Sequence, residues 1–136
     1  MDVDAKAVGL VLLLVATFSG MFLFAVFARA ARSRERAIDG GAIATHGSIG
    51  FTALVVWFSY VNGAKEFGGA RPFVVFLLAV VLAAGVLMLR TVQRSRHEDP
   101  DGESISEAAV SPMHILGHVV IGSLAIIAVV ATAIAG

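Results

Sequence analysis

Two histidines, His46 and His118, lie within apolar stretches of the chain and have matching neighbours. The segments 43–50 and 115–122 carry Ile, His, Ile and Gly at the same four places. An ionisable side chain inside a membrane segment is costly, so it usually marks a functional site. Two imidazoles that meet inside a helical bundle can serve as the axial ligands of a haem iron. The structural alternative is a pair of polar side chains that hydrogen-bond between helices.

The composition is that of a membrane protein. Of the 136 residues 58% are hydrophobic and 15% are charged, and the mean hydropathy is +0.90. Soluble domains rarely reach such values. The formal net charge is zero, which gives no reason to expect nucleic acid as a partner. Cysteine is absent, and this excludes disulfides, thiolate-bound metals and haem attached covalently through cysteine.

Four apolar stretches are long enough to cross a bilayer, which takes about 20 helical residues. They cover approximately 8–31, 41–61, 72–92 and 112–135. Backbone groups in lipid must be paired within their own segment, so we predict helices. The N-terminus lacks the basic start of a cleaved signal, so we expect the first helix to be a retained anchor. The connections are short, which favours antiparallel neighbours.

We therefore predict a single all-α domain over 1–136, a four-helix up-down-up-down transmembrane bundle. Internal similarity suggests that it is a two-plus-two hairpin repeat. The first and third helices share a patch of small residues, and the second and fourth share the histidine segment. The sequence shifts disagree, because Gly20 to Gly85 is 65 residues and His46 to His118 is 72.

The placement of arginine predicts the orientation in the membrane. Seven arginines follow the first and third helices, whereas the opposite side has Lys6, Lys65 and Arg71. Positive charge collects on the cytoplasmic side, so we expect a multi-pass protein of the cell (inner) membrane with both termini outside. The seven are Arg29, Arg32, Arg34, Arg36, Arg90, Arg94 and Arg96.

The two histidines are expected at equal depth in helices that run in the same direction. His46 and His118 lie five to six residues into their predicted helices, about 8–9 Å from the start at 1.5 Å per residue. The second and fourth helices are diagonal in an up-down bundle, which leaves a wide gap between them. Gly50 and Gly122, four residues after each histidine, leave room for a flat ring beside the imidazole.

Arg29 and Arg90 lie near the basic ends of the first and third helices, where haem propionates would need cations. Charge-assisted bonds from arginine to a carboxylate are strong. The alternative for both is anchoring at the membrane edge with an extended side chain. His114 is one turn before His118 and has Ala42 as its repeat counterpart. It could bond a propionate, act as an alternative ligand, relay a proton, or be a hydrated interfacial residue.

On His46 and His118 the chain resembles the four-helix b-type cytochrome modules of respiratory membranes, in which haem b is held between histidines of different helices. The arrangement is also similar to one half of the haem A synthase bundle. That family's Glu-x-x-His-Arg segment has no counterpart, since Ile43 and Gly47 occupy the Glu and Arg positions. The resemblance thus implies a ligand role for the two histidines and goes no further.

These observations favour an integral-membrane protein with one bis-histidine haem b, used for electron transfer rather than as a stand-alone enzyme. Its expected partners are the lipid bilayer, a quinone or a redox subunit, or a second copy of the chain. A haem carrier, a haem sensor or an oxidase assembly factor would use the same ligands. A metal transporter should add acidic ligands, which the spans lack. A structural small subunit would bind no cofactor.

Overall fold

A computed structural model describes residues 4–31, 40–63, 70–98 and 112–135. Within these ranges it contains four α-helices and no strand, which confirms the predicted all-α bundle. Each helix is long and apolar enough to cross a membrane. The protein is therefore a multi-pass membrane protein. The helices are α1 (Ala5–Ala31), α2 (Gly40–Val61), α3 (Ala70–Glu98) and α4 (Pro112–Ala135).

Three of the helices extend beyond the ranges predicted from hydropathy, α2 by a single residue. Asp4 caps α1, since its carboxylate accepts the Lys6 N–H at 2.9 Å, so the helix begins three residues earlier than expected. At its other end α3 continues to Glu98 instead of residue 92, which places His97 on a helix rather than in a loop. Hydropathy marks the part of a helix inside lipid, whereas the hydrogen-bonded helix continues into the polar layer.

The helices pack as a square in which α2 and α4 lie on one diagonal and α1 and α3 on the other. The most extensive contacts are between α1 and α4 and between α2 and α3, whereas α1 with α2 and α3 with α4 touch less. The first helix of each hairpin therefore packs mainly against the second helix of the other hairpin. The diagonal relation expected for the two histidine helices is confirmed.

The repeat has one consistent register once the helices are aligned separately. Because α1 begins at Ala5 and α3 at Ala70, their shift is 65 residues, and the starts of α2 and α4 give a shift of 72. Both members of three pairs of residues that are equivalent under these shifts are buried: Leu13 and Leu78, Ala53 and Ala125, and Trp57 and Val129. The two shifts differ because the segments that join the helices differ in length. The hairpins are thus related as parallel repeats.

Most of the buried core lies at one end of the bundle, which we call the terminal end because α1 begins and α4 finishes there. Trp57, Val74 and Val129 are fully buried at this end. A Cβ on Gly9 would lie 3.2 Å from Val129 Cγ2 and 3.3 Å from Trp57 Nε1. The large indole is therefore accommodated by a glycine on the neighbouring helix, and its N–H donates to the Lys6 carbonyl at 3.2 Å.

Candidate functional site

His46 and His118, here called the histidine pair, lie toward the opposite end, which we call the connection end because α1 and α3 finish there. Each is six residues after the first residue of its helix. At 1.5 Å per residue both are about 9 Å along the helix axis. Both side chains are partly buried and turn toward the bundle interior. The expected equal depth is confirmed.

The two imidazoles are neighbours, but their separation is not that of a hydrogen bond. Their ring centroids are 6.3 Å apart and the ring planes form an angle of 74°. A direct N–H···N bond of about 2.9 Å would place the centroids about 5.2 Å apart. Two imidazoles on opposite sides of one metal ion, each at about 2.0 Å, would have centroids about 6.4 Å apart. The observed separation is too long for a direct hydrogen bond and is compatible, as a distance, with two ligands of one ion.

Each imidazole rests against a glycine on a neighbouring helix. A Cβ built on Gly20 of α1 would lie 3.0 Å from Cε1 of His118. A Cβ on Gly85 of α3 would lie 3.3 Å from Cε1 of His46. Gly20 and Gly85 are equivalent in the repeat, so the same contact occurs twice. These glycines allow the imidazoles to approach the helix backbone closely, a role for which any larger side chain is too bulky.

The backbone around each glycine adds a second repeated feature. The Val81 backbone lies close to the His46 imidazole, and the Ala16 backbone lies close to the His118 imidazole. Ala16 and Val81 lie four residues before Gly20 and Gly85, one turn away on the same helix face. Each imidazole therefore lies against one face of the neighbouring helix, beside a glycine and the residue one turn before it.

The two imidazoles differ in the side chain available to bond with Nδ1. Ser19 Oγ lies 3.2 Å from Nδ1 of His118 and forms a hydrogen bond with it. The equivalent residue on α3 is Ala84, which has no hydroxyl. Nδ1 of His46 is buried and has no hydrogen-bond partner among the described residues. One ring is therefore tethered through a side chain, and the other has a buried nitrogen that is unsatisfied.

Gly50 and Gly122 lie one turn beyond the histidines and face open space. A Cβ on either would meet no other described atom within 4 Å. The glycines that touch the rings are thus Gly20 and Gly85, on the other pair of helices. That Gly50 and Gly122 border a bound ring stays a prediction.

Arg29 and Arg90 are exposed residues closer to the connection end than the histidine pair. Arg90 is five residues beyond Gly85 and Arg29 is nine residues beyond Gly20. With 3.6 residues per turn, Arg90 lies about 140° around its helix from Gly85, and Arg29 lies about 180° from Gly20. Only an extended side chain could therefore reach a propionate between the helices. Their role as propionate partners stays a prediction.

His114 lies at the rim of the bundle, one turn from His118. It is exposed, and its ring contacts that of Phe22 on α1 with a centroid distance of 5.7 Å. Residues at the equivalent positions in the other half are Ala42 and Leu87. The rim next to His118 is therefore bulkier than the rim next to His46. The ligand, propionate and proton-relay roles considered for His114 stay predictions.

The number of available ligands limits which metals the site can hold. Within the described residues no group of three or more His, Asp or Glu side chains could hold an ion. Structural zinc, for example, takes four protein ligands. Two opposed imidazoles are sufficient only when other donors complete the coordination, as the four nitrogens of a porphyrin do. The residues present fit a haem iron better than a bare divalent ion.

A second polar cluster closes the terminal end, far from the histidine pair. Arg71 Nε donates to the Tyr60 hydroxyl at 2.9 Å, and Lys6 Nζ lies 5.1 Å from the centre of the same ring. Trp57 packs against Tyr60 with a centroid distance of 5.2 Å. Aromatic rings with cationic neighbours are typical of a membrane–water interface. The cluster fixes the ends of three helices.

No protein-family model, curated protein or solved structure matches this chain. The function of this protein is therefore inferred from the geometry of its own residues. The ring contacts of Gly20 and Gly85 and the Ser19 hydrogen bond were not assigned from the sequence. The sequence does contain a pattern that indicates these contacts, because the pairs Ser19-Gly20 and Ala84-Gly85 occupy equivalent positions in the first and third helices. Small residues in membrane helices also serve ordinary packing, which hid the specific role.

Proposed function

We propose that this protein binds one haem b per chain, with His46 and His118 as the two axial ligands. The observation that carries the proposal is the ring separation of 6.3 Å, which suits one shared ion and is too long for a direct hydrogen bond.

The bundle supports this use in three further ways. Gly20 and Gly85 leave room for the rings against the helix backbone, and the backbones at Ala16 and Val81 lie close to them. The open space next to Gly50 and Gly122 leaves both flanks accessible to a macrocycle. The helices around the site are apolar. Haem supplies a one-electron couple whose potential is tuned by axial ligands, hydrogen bonds and burial.

Electron transfer is the activity that two histidine ligands favour, because together they fill both axial positions of the iron. A site about 9 Å into the bundle lies near one membrane surface. The arginine distribution makes that surface the cytoplasmic one. One haem so placed must exchange electrons with a quinone, a partner subunit or the haem of a second copy.

The visible spectrum of the purified protein tests this proposal. The protein is produced in haem-supplemented cells, extracted in detergent and recorded as dithionite-reduced minus oxidised. We expect the sharp bands of a six-coordinate haem b, with a haem-to-chain ratio near one. His46→Ala and His118→Ala should each abolish the six-coordinate spectrum, whereas the control His114→Ala should keep it.

Two results would contradict the proposal. The first is a colourless wild-type protein that is folded and helical by circular dichroism. The second is a six-coordinate haem spectrum that survives both substitutions in the histidine pair. The rate of haem transfer to apomyoglobin separates the functional alternatives. A carrier should release haem within minutes, whereas an electron-transfer protein should retain it for hours or longer.

A further inference from the structure

His46 and His118 occupy equivalent positions in the repeat, but the neighbours of their imidazoles differ. Nδ1 of His118 forms a hydrogen bond with the Ser19 hydroxyl at 3.2 Å, whereas the buried Nδ1 of His46 has no hydrogen-bond partner among the described residues. This difference makes His118 the more firmly held imidazole.

On the basis of the proposed haem site, we infer that His118 is the permanent ligand and His46 the exchangeable one. A small neutral diatomic molecule then binds the iron on the side of His46. The protein would thus be a gas-binding haem protein as well as an electron carrier.

The hydrogen bond of Ser19 provides the first physical reason. When the hydroxyl accepts the proton on Nδ1 of His118, Nε2 becomes the nitrogen that is free to bind iron. Partners of this kind fix the tautomer and the ring orientation and increase the basicity of the ligand. Ala84 cannot provide this support to His46. The bond from iron to His46 is therefore the weaker of the two.

The space around each ring provides the second reason. On the side of His118 the rim is formed by the rings of His114 and Phe22, which contact each other. On the side of His46 the equivalent residues, Ala42 and Leu87, are smaller. The His46 ring consequently has room to move aside and admit a molecule of two atoms.

The exchange is a simple ligand substitution at ferrous iron. The bond from iron to the His46 nitrogen breaks, and the carbon lone pair of carbon monoxide forms the new bond. The displaced imidazole keeps its own lone pair. Iron remains ferrous throughout, with dithionite as the reductant in the experiment, and no proton is transferred.

Carbon monoxide binding to the dithionite-reduced protein tests the inference. We expect the wild-type spectrum to change on addition of carbon monoxide, with a rate limited by dissociation of His46. Ala84→Ser adds the missing hydroxyl next to His46 and should slow binding about tenfold, the lower end of the range for such supporting contacts. Ser19→Ala, the matched change in the other half, should not slow it.

The single-histidine variants provide a second measurement that does not depend on these rates. His46→Ala should retain haem through His118 and bind carbon monoxide immediately. His118→Ala should release haem to apomyoglobin at least tenfold faster than His46→Ala does. Circular dichroism and size-exclusion chromatography establish that each variant is folded.

The outcomes separate this inference from the proposal on which it rests. A wild-type protein that binds no haem would overturn the proposed function. A haem-loaded wild type that does not react with carbon monoxide would overturn only the exchange of His46. The exchange of His46 would also be overturned by an Ala84→Ser variant that binds carbon monoxide as fast as the wild type, or by equal haem retention in the two single-histidine variants.

Discussion

The terminal end and the connection end of the bundle both contain the twofold repeat, but they differ in how similar their equivalent residues are. At the terminal end the equivalent residues differ in size: Gly9 corresponds to Val74, and Trp57 corresponds to Val129. At the connection end the two residues of each ring contact are identical, although residues near them, such as Ser19 and Ala84, differ. There Gly20 corresponds to Gly85, and His46 corresponds to His118.

The difference shows what each end requires. A packed core needs a total volume, so one half can use glycine with tryptophan where the other uses two valines. Gly9 is the small residue that accommodates Trp57, since a Cβ at this position would lie within 3.3 Å of both Trp57 and Val129. The proposed metal ligands need the same chemical group twice, in the same geometry, so the two histidines and the glycines against them cannot be exchanged in this way.

The largest effect is expected from filling the space beside a histidine ring. Gly20→Leu or Gly85→Leu should lower haem occupancy by about tenfold or more, because even a Cβ there lies 3.0 or 3.3 Å from an imidazole carbon. The ratio of haem to protein in the purified variant measures this effect. Gly47→Ala is the control, since a Cβ at that position meets no described atom within 4 Å. Full occupancy in both leucine variants would show that the glycines do not shape the site.

The next largest effect is on stability, at the terminal end. Trp57→Ala should reduce the free energy of unfolding by about 3–5 kcal/mol, because the indole is fully buried and its removal leaves a cavity. Unfolding in detergent with increasing SDS measures the change. The exposed Phe58→Ala is the control, with an expected change within about 0.5 kcal/mol. A loss of less than about 1 kcal/mol for Trp57→Ala would contradict the packing described for this end.

The volume exchange between the halves can be tested by making one half resemble the other. Gly9→Val alone should destabilise the protein by about 1–3 kcal/mol, because a Cβ there is already within 3.3 Å of Trp57 and Val129. Combining it with Trp57→Val recreates the pair Val74 and Val129 of the other half. We expect the double variant to be more stable than the sum of the two changes implies, by about 0.5–3 kcal/mol. Simple additivity would mean that the two positions do not compensate each other.

The smallest effect is expected from the arginines of the connection end. Arg90→Gln should weaken haem binding about fivefold, which corresponds to one charge-assisted bond at a partly hydrated site. Arg29→Gln should have a smaller effect, because Arg29 lies farther around its helix from the histidine pair. Titration of the apoprotein with haemin measures both. If Arg29→Gln weakened binding more than Arg90→Gln, the predicted assignment of the propionates would be reversed.

Much of this architecture follows from hydropathy and periodicity. The lengths of the apolar stretches and the short connections predict four antiparallel helices, and the repeated His segment predicts equal depth on diagonal helices. The extension of α3 to Glu98 was not predicted, because hydropathy falls at the membrane surface although the helix continues. Equal depth and diagonal placement require only the helix starts and the order of the helices, and both can be read from a sequence.

The details of the site depend on helix rotation, which a sequence does not specify closely. Gly50 and Gly122 share a face with the histidines, so they were the natural candidates for ring neighbours. The imidazoles lie against Gly20 and Gly85, on the two other helices, and these contacts depend on how the helices are rotated in the bundle. The same holds for the hydrogen bond of Ser19, which depends on a distance between two helices. Local spacing gives the two histidines, and tertiary packing gives their neighbours.

We propose that His46 and His118 bind the same iron from opposite sides, and electron paramagnetic resonance of the oxidised protein with ¹⁵N-labelled histidine is the decisive measurement. We expect a low-spin ferric signal with two coupled imidazole nitrogens and the strong anisotropy of ring planes inclined at 74°. In His46→Ala one of the two nitrogens should be lost. A high-spin wild-type signal, or two coupled nitrogens that persist in His46→Ala, would rule out this ligation.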